Sequence, residues 1–221
     1  MVLGIITSIA ACPAIIGTTE AVQQGQKQNA RERHRSRKAN LVVSCQDPSR
    51  KARDVHGGTV VLRDNKLYVT TVNPKSKFPE DYKNDAERIK GYGHLFAGYF
   101  FPYPESKWGR RGEGYVSTIA DDPPQLNWIY VDKDTYEVKY GLRKEAEGHI
   151  TGPWNVTPID RRLNFDGWEG WIVVEEKEDK WALYFDFDDD GLDTKVGLDK
   201  RIMEIELTRR ELRMYKGDCI I

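Results

Sequence analysis

The stretch WIVVEEKEDKWALYFDF, residues 171–187, decides how the chain folds. Its halves, WIVVEE and KWALYFDF, are rich in β-branched and aromatic residues and are separated by a charged KED turn, the pattern of a two-stranded hairpin. In the second half Trp181, Leu183, Phe185 and Phe187 share one face, while Tyr184, Asp186 and Asp188 share the other, which is the period of two that a strand imposes.

Outward from this hairpin the same grammar recurs. LNWIYV (126–131) and YEVKY (136–140) frame a second hairpin around DKDT. TVVL (59–62) and KLYVTTV (66–72) frame another around Asp64 and Asn65, two residues that tolerate the left-handed backbone of a tight turn. LVVSC (41–45) reads as a strand, and RIMEIELT (201–208) alternates Met203, Ile205 and Leu207 against Glu204, Glu206 and Thr208 as one half-buried strand. A helix is expected over FPEDYKNDAERIKG, with Pro79 in its first turn, Tyr82, Ala86 and Ile89 on one side and Gly91 as its cap. No internal repeat of fixed period is visible. The expectation is a mainly β domain over residues 41–221, an antiparallel sandwich or barrel-like sheet, preceded by an α-helical extension over residues 1–40.

That extension is apolar and then basic. Its first 18 residues carry no charged side chain, and Val2, Ile5, Ile9, Cys12 and Ile16 recur at alternating spacings of three and four, the seam of a helix packed on another helix. Pro13 would kink it. The following QKQNARERHRSRK (26–38) places positive charge after the apolar stretch, where a secretory signal would place it before; the body therefore stays on the cytosolic side whether or not the leader touches a membrane. The leader marks either a homo-oligomer contact or a peripheral membrane or protein partner. A net charge of −1 disfavours a nucleic-acid binder. The three cysteines, Cys12, Cys45 and Cys219, form neither a disulfide framework nor a zinc site.

The N-terminal MVLGIITSIAACPAIIGTTEAVQQGQ, together with GHITGPWNV, DGWEGW and WALYFDFDDDGL, resembles a family of filamentous-fungal proteins. The likeness covers most of the chain. It implies a fungal source and carries no reaction with it.

Two places bear chemistry. Asp186, Asp188, Asp190 and Gly191 occupy positions one, three, five and six of a calcium loop, but position twelve, where a bidentate acid should close the cage, is Gly197. The competing reading is the polar end of a strand entering a turn. Trp168 in DGWEG and Trp108 in KWGRR are the aromatic side chains placed for exposure and for stacking on a sugar; the other strand tryptophans read as core. His34, His56, His94 and His149 have no metal-ligand spacing, and no G-x-S-x-G or Walker sequence occurs. Three functional readings follow: a non-enzymatic cytosolic β protein attached through its N-terminal helix, a small-ligand or carbohydrate-binding β module assisted by calcium, and a carboxylate hydrolase using residues such as Glu113, Asp121, Glu169 and Glu175.

Overall fold

The computed structural model describes residues 33–71, 93–103, 112–121 and 124–212. The chain divides into two compact units, Met1–Arg37 and Lys38–Ile221. Of the first, only residues 33–37 are described; residues 33–35 are helical, and Ser36 Oγ donates to the Arg33 carbonyl at 3.2 Å. The heptad-spaced side chains and the helix expected near residues 78–91 lie outside the described residues.

The second unit is antiparallel β structure, as its sequence predicts. Its strands are β1 (Ala39–Ser44), β2 (Thr59–Arg63), β3 (Lys66–Thr70), β4 (His94–Leu95), β5 (Gly98–Pro102), β6 (Glu113–Asp121), β7 (Pro124–Val131), β8 (Val138–Gly141), β9 (Trp154–Val156), β10 (Leu163–Phe165), β11 (Trp171–Lys177), β12 (Lys180–Phe185), β13 (Ile202–Glu204) and β14 (Glu206–Glu211). Six of these close into a ring. β1 pairs with β14 from Ala39↔Glu211 to Ser44↔Glu206 and touches β5 at Ala39↔Gly98; β5 pairs with β6. β6 meets β9, where the Tyr115 and Trp154 rings stack at 5.5 Å, β9 pairs with β10, and β10 returns to β14 through the Arg162↔Thr208 bridge.

The hairpins β2–β3, β7–β8 and β11–β12 cap one end of this ring and touch one another at Lys66↔Lys139, Ala182↔Tyr68 and Glu137↔Tyr184. The unit is therefore built three times over: β1, β2, β3, β5; then β6, β7, β8, β9; then β10, β11, β12, β14. Even the small pairings recur, since β4 lies on β2, Ile150 bridges Val131 on β7, and β13 lies on β11. The repeat is written in strand pairing and not in residue identity: the corresponding core positions of β1, β6 and β10 hold Leu41, Tyr115 and Leu163. Those three, with Leu67, Val138 and Leu183 from the hairpins and Trp154, Trp171 and Leu207, surround a central space without a water-sized void.

The stretch read as one strand, RIMEIELT, is two. Met203, Ile205 and Leu207 are buried as the alternation requires, but β13 pairs with β11 and β14 with β1, and the chain changes partners at Ile205. The hairpin turns match their residues: Asp64 (φ 48°) and Asn65 (φ 61°) are both left-handed.

A polar network pins the cap where the hairpins meet. Lys66 Nζ lies 2.5 Å from Glu137 Oε1 and 2.8 Å from Glu176 Oε1, and the Tyr184 hydroxyl oxygen lies 3.2 Å from an oxygen of each carboxylate, within donating reach of either. Lys139 joins Glu137 at 2.8 Å and Asp132 at 2.7 Å. Burial opposes the charge on Asp132, but hydrogen bonds from Lys139 and from the Asp134 and Thr135 N–H groups outweigh it and hold the carboxyl down at about 2. For Lys66 burial likewise opposes the charge, and hydrogen bonds to Glu137 and Glu176 prevail, holding the ammonium up at about 12.

Candidate functional site

Trp168 is placed by a two-residue turn. After β10, Asp166 (φ 49°) and Gly167 (φ 96°) reverse the backbone, with Phe165 N donating to the Trp168 carbonyl at 3.0 Å and Trp168 N to the Phe165 carbonyl at 3.2 Å. Asp-Gly suits this two-residue turn because both central positions need a left-handed backbone. The half-buried indole then meets the Phe185 ring edge-to-face at 5.5 Å. Gly170 makes this possible: a Cβ there would lie 2.5 Å from the Trp168 ring and 2.8 Å from the Asp186 carbonyl.

Trp168 forms one wall of a cleft of about 350 Å³. Ser44 and Gln46 come from the end of β1, Glu169 from the turn before β11, Asp186 and Asp189 from beyond β12, and Glu204 and Glu206 from either side of Ile205. Arg162 bridges two of these acids, 3.4 Å from Glu169 and 3.0 Å from Glu206. The rim is consequently rich in hydrogen-bond acceptors beside the Trp168 ring, with the buried Trp171 also in the lining. Three of the residues singled out in sequence, Trp168, Glu169 and Asp186, come together here.

The three alternating aspartates do not converge. Asp186 is buried and accepts the Gly191 N–H at 2.7 Å and the Asp190 N–H at 3.4 Å; Asp188 accepts the Tyr136 hydroxyl at 2.9 Å; Asp190 accepts the Leu192 N–H at 2.9 Å and the Thr194 hydroxyl at 3.3 Å. Each carboxylate is turned to a different partner because the loop folds back over its own hairpin. That fold sets Leu192 and Val196 onto Ile172, Val174, Ala182 and Tyr184, a second small core on the outer face of β11–β12. Among the described residues no three His, Cys, Asp or Glu side chains are gathered to hold a metal ion.

Trp108 lies outside the described residues, as do Val2, Ile5, Ile9, Cys12 and Ile16. Glu169 and Glu175 are held by different cations, Glu169 by Arg162 and Glu175 by Arg201 at 2.7 Å. Cys45 is a free, buried thiol 3.6 Å from the Glu204 carbonyl. Sequence reasoning missed an aromatic group on the outer face of β5–β7: Tyr99 and Phe101 meet edge-on at 6.2 Å, Phe101 meets Trp128 at 5.8 Å, and Tyr103 stacks on Trp128 at 6.2 Å. The alternation of Tyr99, Phe101 and Tyr103 is the signal that would have found it. Among the described residues no helix is long and apolar enough to cross a membrane.

The topology, six ring strands capped by three hairpins, has a counterpart among known families. The profile of the fungal beta-trefoil domain matches residues 17–213. No curated protein and no solved structure matches the chain. The match takes in most of the sequence, and the chain belongs to the fungal beta-trefoil domain family.

Proposed function

We propose that this protein is a non-enzymatic binding module for a neutral or amino-bearing carbohydrate, and that the Trp168 cleft is where the sugar sits. The single observation that carries the reading is an aromatic wall facing a rim of acceptors. A pyranose presents an apolar C–H face, which stacks on an indole, and a ring of hydroxyl donors, which need acceptors such as Glu169, Asp189 and Glu204. The acidic rim repels an acidic sugar. The trefoil fold, which often serves as a ligand or carbohydrate-binding module, is compatible with this role. Calcium is not required by it, since the carboxylates of Asp186 and Asp190 are occupied by loop N–H groups.

Titration of the full chain with methyl glycosides and glucosamine, followed by calorimetry and tryptophan fluorescence, tests the reading. Trp168→Ala should weaken binding at least about tenfold, equivalent to ~1.4 kcal/mol, and lower stability by about 1–2 kcal/mol through the lost contact with Phe185 while the fold is kept. Equal affinity in wild type and variant would end it.

A second reading rests on the sequence of residues 1–38. Their heptad-spaced apolar side chains followed by a basic run suit self-assembly or attachment to a membrane or protein partner. Deleting them and measuring mass by light scattering, with liposome flotation alongside, should change at least one of the two. No change in either would remove that reading.

A further inference from the structure

A second cleft, of about 500 Å³, opens between the β2–β3 and β11–β12 hairpins. Its chemistry is opposite to that of the Trp168 cleft. Every carboxylate on its wall is already committed: Asp54 and Asp179 to Lys51 at 3.2 and 2.9 Å, Asp64 to Arg63 at 3.1 Å, and Glu176 to Lys66 at 2.8 Å. Four cations, Arg53, Arg63, Lys177 and Lys180, line the cleft beside those four carboxylates, and three of the acids are paired to Lys51 and Lys66 from outside the lining. Arg53, Lys177 and Lys180, all exposed, have no carboxylate partner among the described residues.

The hairpin tip is arranged against its own electrostatics. Lys177 and Lys180 are direct cross-strand partners, immediately past a register shift between Glu175 and Lys177. Like charges set opposite each other destabilise a sheet unless a counter-charge joins them. Trp181, 1% exposed, also lines the cleft, and its buried indole N–H finds no acceptor among the described residues. A buried donor left unpaired costs free energy until an oxygen reaches it. Three cations without a carboxylate partner and an unpaired donor lining one cleft suit a ligand with negative oxygens.

We propose that this cleft is an oxyanion site, taking the phosphate, sulfate or carboxylate group of a small molecule. The charge of the group binds Arg53, Lys177 and Lys180, relieving the repulsion between the lysines, and one of its oxygens accepts from Trp181. The long side chains at the mouth move aside to admit it. The site is independent of the Trp168 cleft and stands or falls separately.

The test is a nuclear magnetic resonance titration of the full chain that follows the Trp181 indole N–H, assigned by its loss in Trp181→Phe. Inorganic phosphate, inorganic sulfate and glucuronate are added, with sodium chloride at matched ionic strength and glucose as references. A saturable shift with at least one of the three oxyanions, and none with chloride or glucose, is expected; which oxyanion saturates at the lowest concentration identifies the group. The triple variant Arg53→Ala, Lys177→Ala, Lys180→Ala should weaken that binding at least tenfold without lowering the urea midpoint, and Trp168→Ala should leave it unchanged. An unmoved Trp181 signal with all three oxyanions, or a triple variant that binds like the wild type, overturns the proposal.

Discussion

Asp186 is 4% exposed, and both its oxygens accept from N–H groups of the loop it begins. A buried carboxylate needs donors in place of water, and here those donors are backbone groups that need an acceptor themselves. Asp186→Ala leaves the Gly191 N–H unpaired and loosens the seat of Leu192; a loss of about 2–3 kcal/mol in urea unfolding is expected, with Asp186→Asn costing less because one acceptor survives. Adding calcium to metal-free protein should give no saturable heat and no rise in Tm, since the oxygens that would bind it already have partners. A heat that saturates would show that the cage forms after all. The alternating aspartates were visible in sequence; the N–H groups that claim them were not, because the backbone course of residues 186–192 is set by where Leu192 finds an apolar surface.

At the scale of elements, turn chemistry was the most readable feature of the sequence. Asp64-Asn65 and the flanks of the KED turn bring strands together where their residue types predict, because a left-handed backbone is affordable to few side chains. The connection from β10 to β11 turns the same rule to the site. Gly170→Ala should evict Trp168 from its place on Phe185, costing about 1–2 kcal/mol and weakening glycoside binding as far as Trp168→Ala does. Near-ultraviolet circular dichroism, which reports the indole's surroundings, checks the displacement independently of any ligand. Alternation was read correctly in RIMEIELT and its division was not: burial of every second residue is the same whether a strand keeps one neighbour or exchanges it at Ile205 for another.

For the whole molecule the decisive contacts are those between hairpins. Burial opposes the charge on Glu137, but hydrogen bonds from Lys139 and Lys66 outweigh it and hold the carboxyl below its usual 4.5, as Asp132 is held below its usual 3.8. Both titrate lower when folded, so the folded state binds fewer protons than the unfolded chain in this range. The stability they contribute is complete above about pH 4.5 and drains away as pH falls toward 2. Glu137→Gln and Asp132→Asn should each flatten that acid limb in unfolding measured from pH 6 to pH 2, and Glu137→Ala should cost about 2 kcal/mol at pH 7 by leaving two half-buried lysines short of a partner. The mainly β class and the three capping hairpins could be read from the sequence; the β5–β6, β6–β7 and β9–β10 pairings were not read. Three-fold closure could not, because Leu41, Tyr115 and Leu163 occupy equivalent places without resembling one another, and the strands that complete the ring are remote in the chain.

That remoteness governs how the protein must be made. β1 finds its main partner, β14, only after nearly all the intervening chain has been synthesised, so the ring is among the last things to form and its closure has a high contact order. Until β14 emerges from the ribosome, the backbone of Ala39–Ser44 has an unpaired edge, open to strands from other nascent chains. Premature termination before Glu206 would leave that edge open for good, and such fragments are the ones a cell's quality control has to remove.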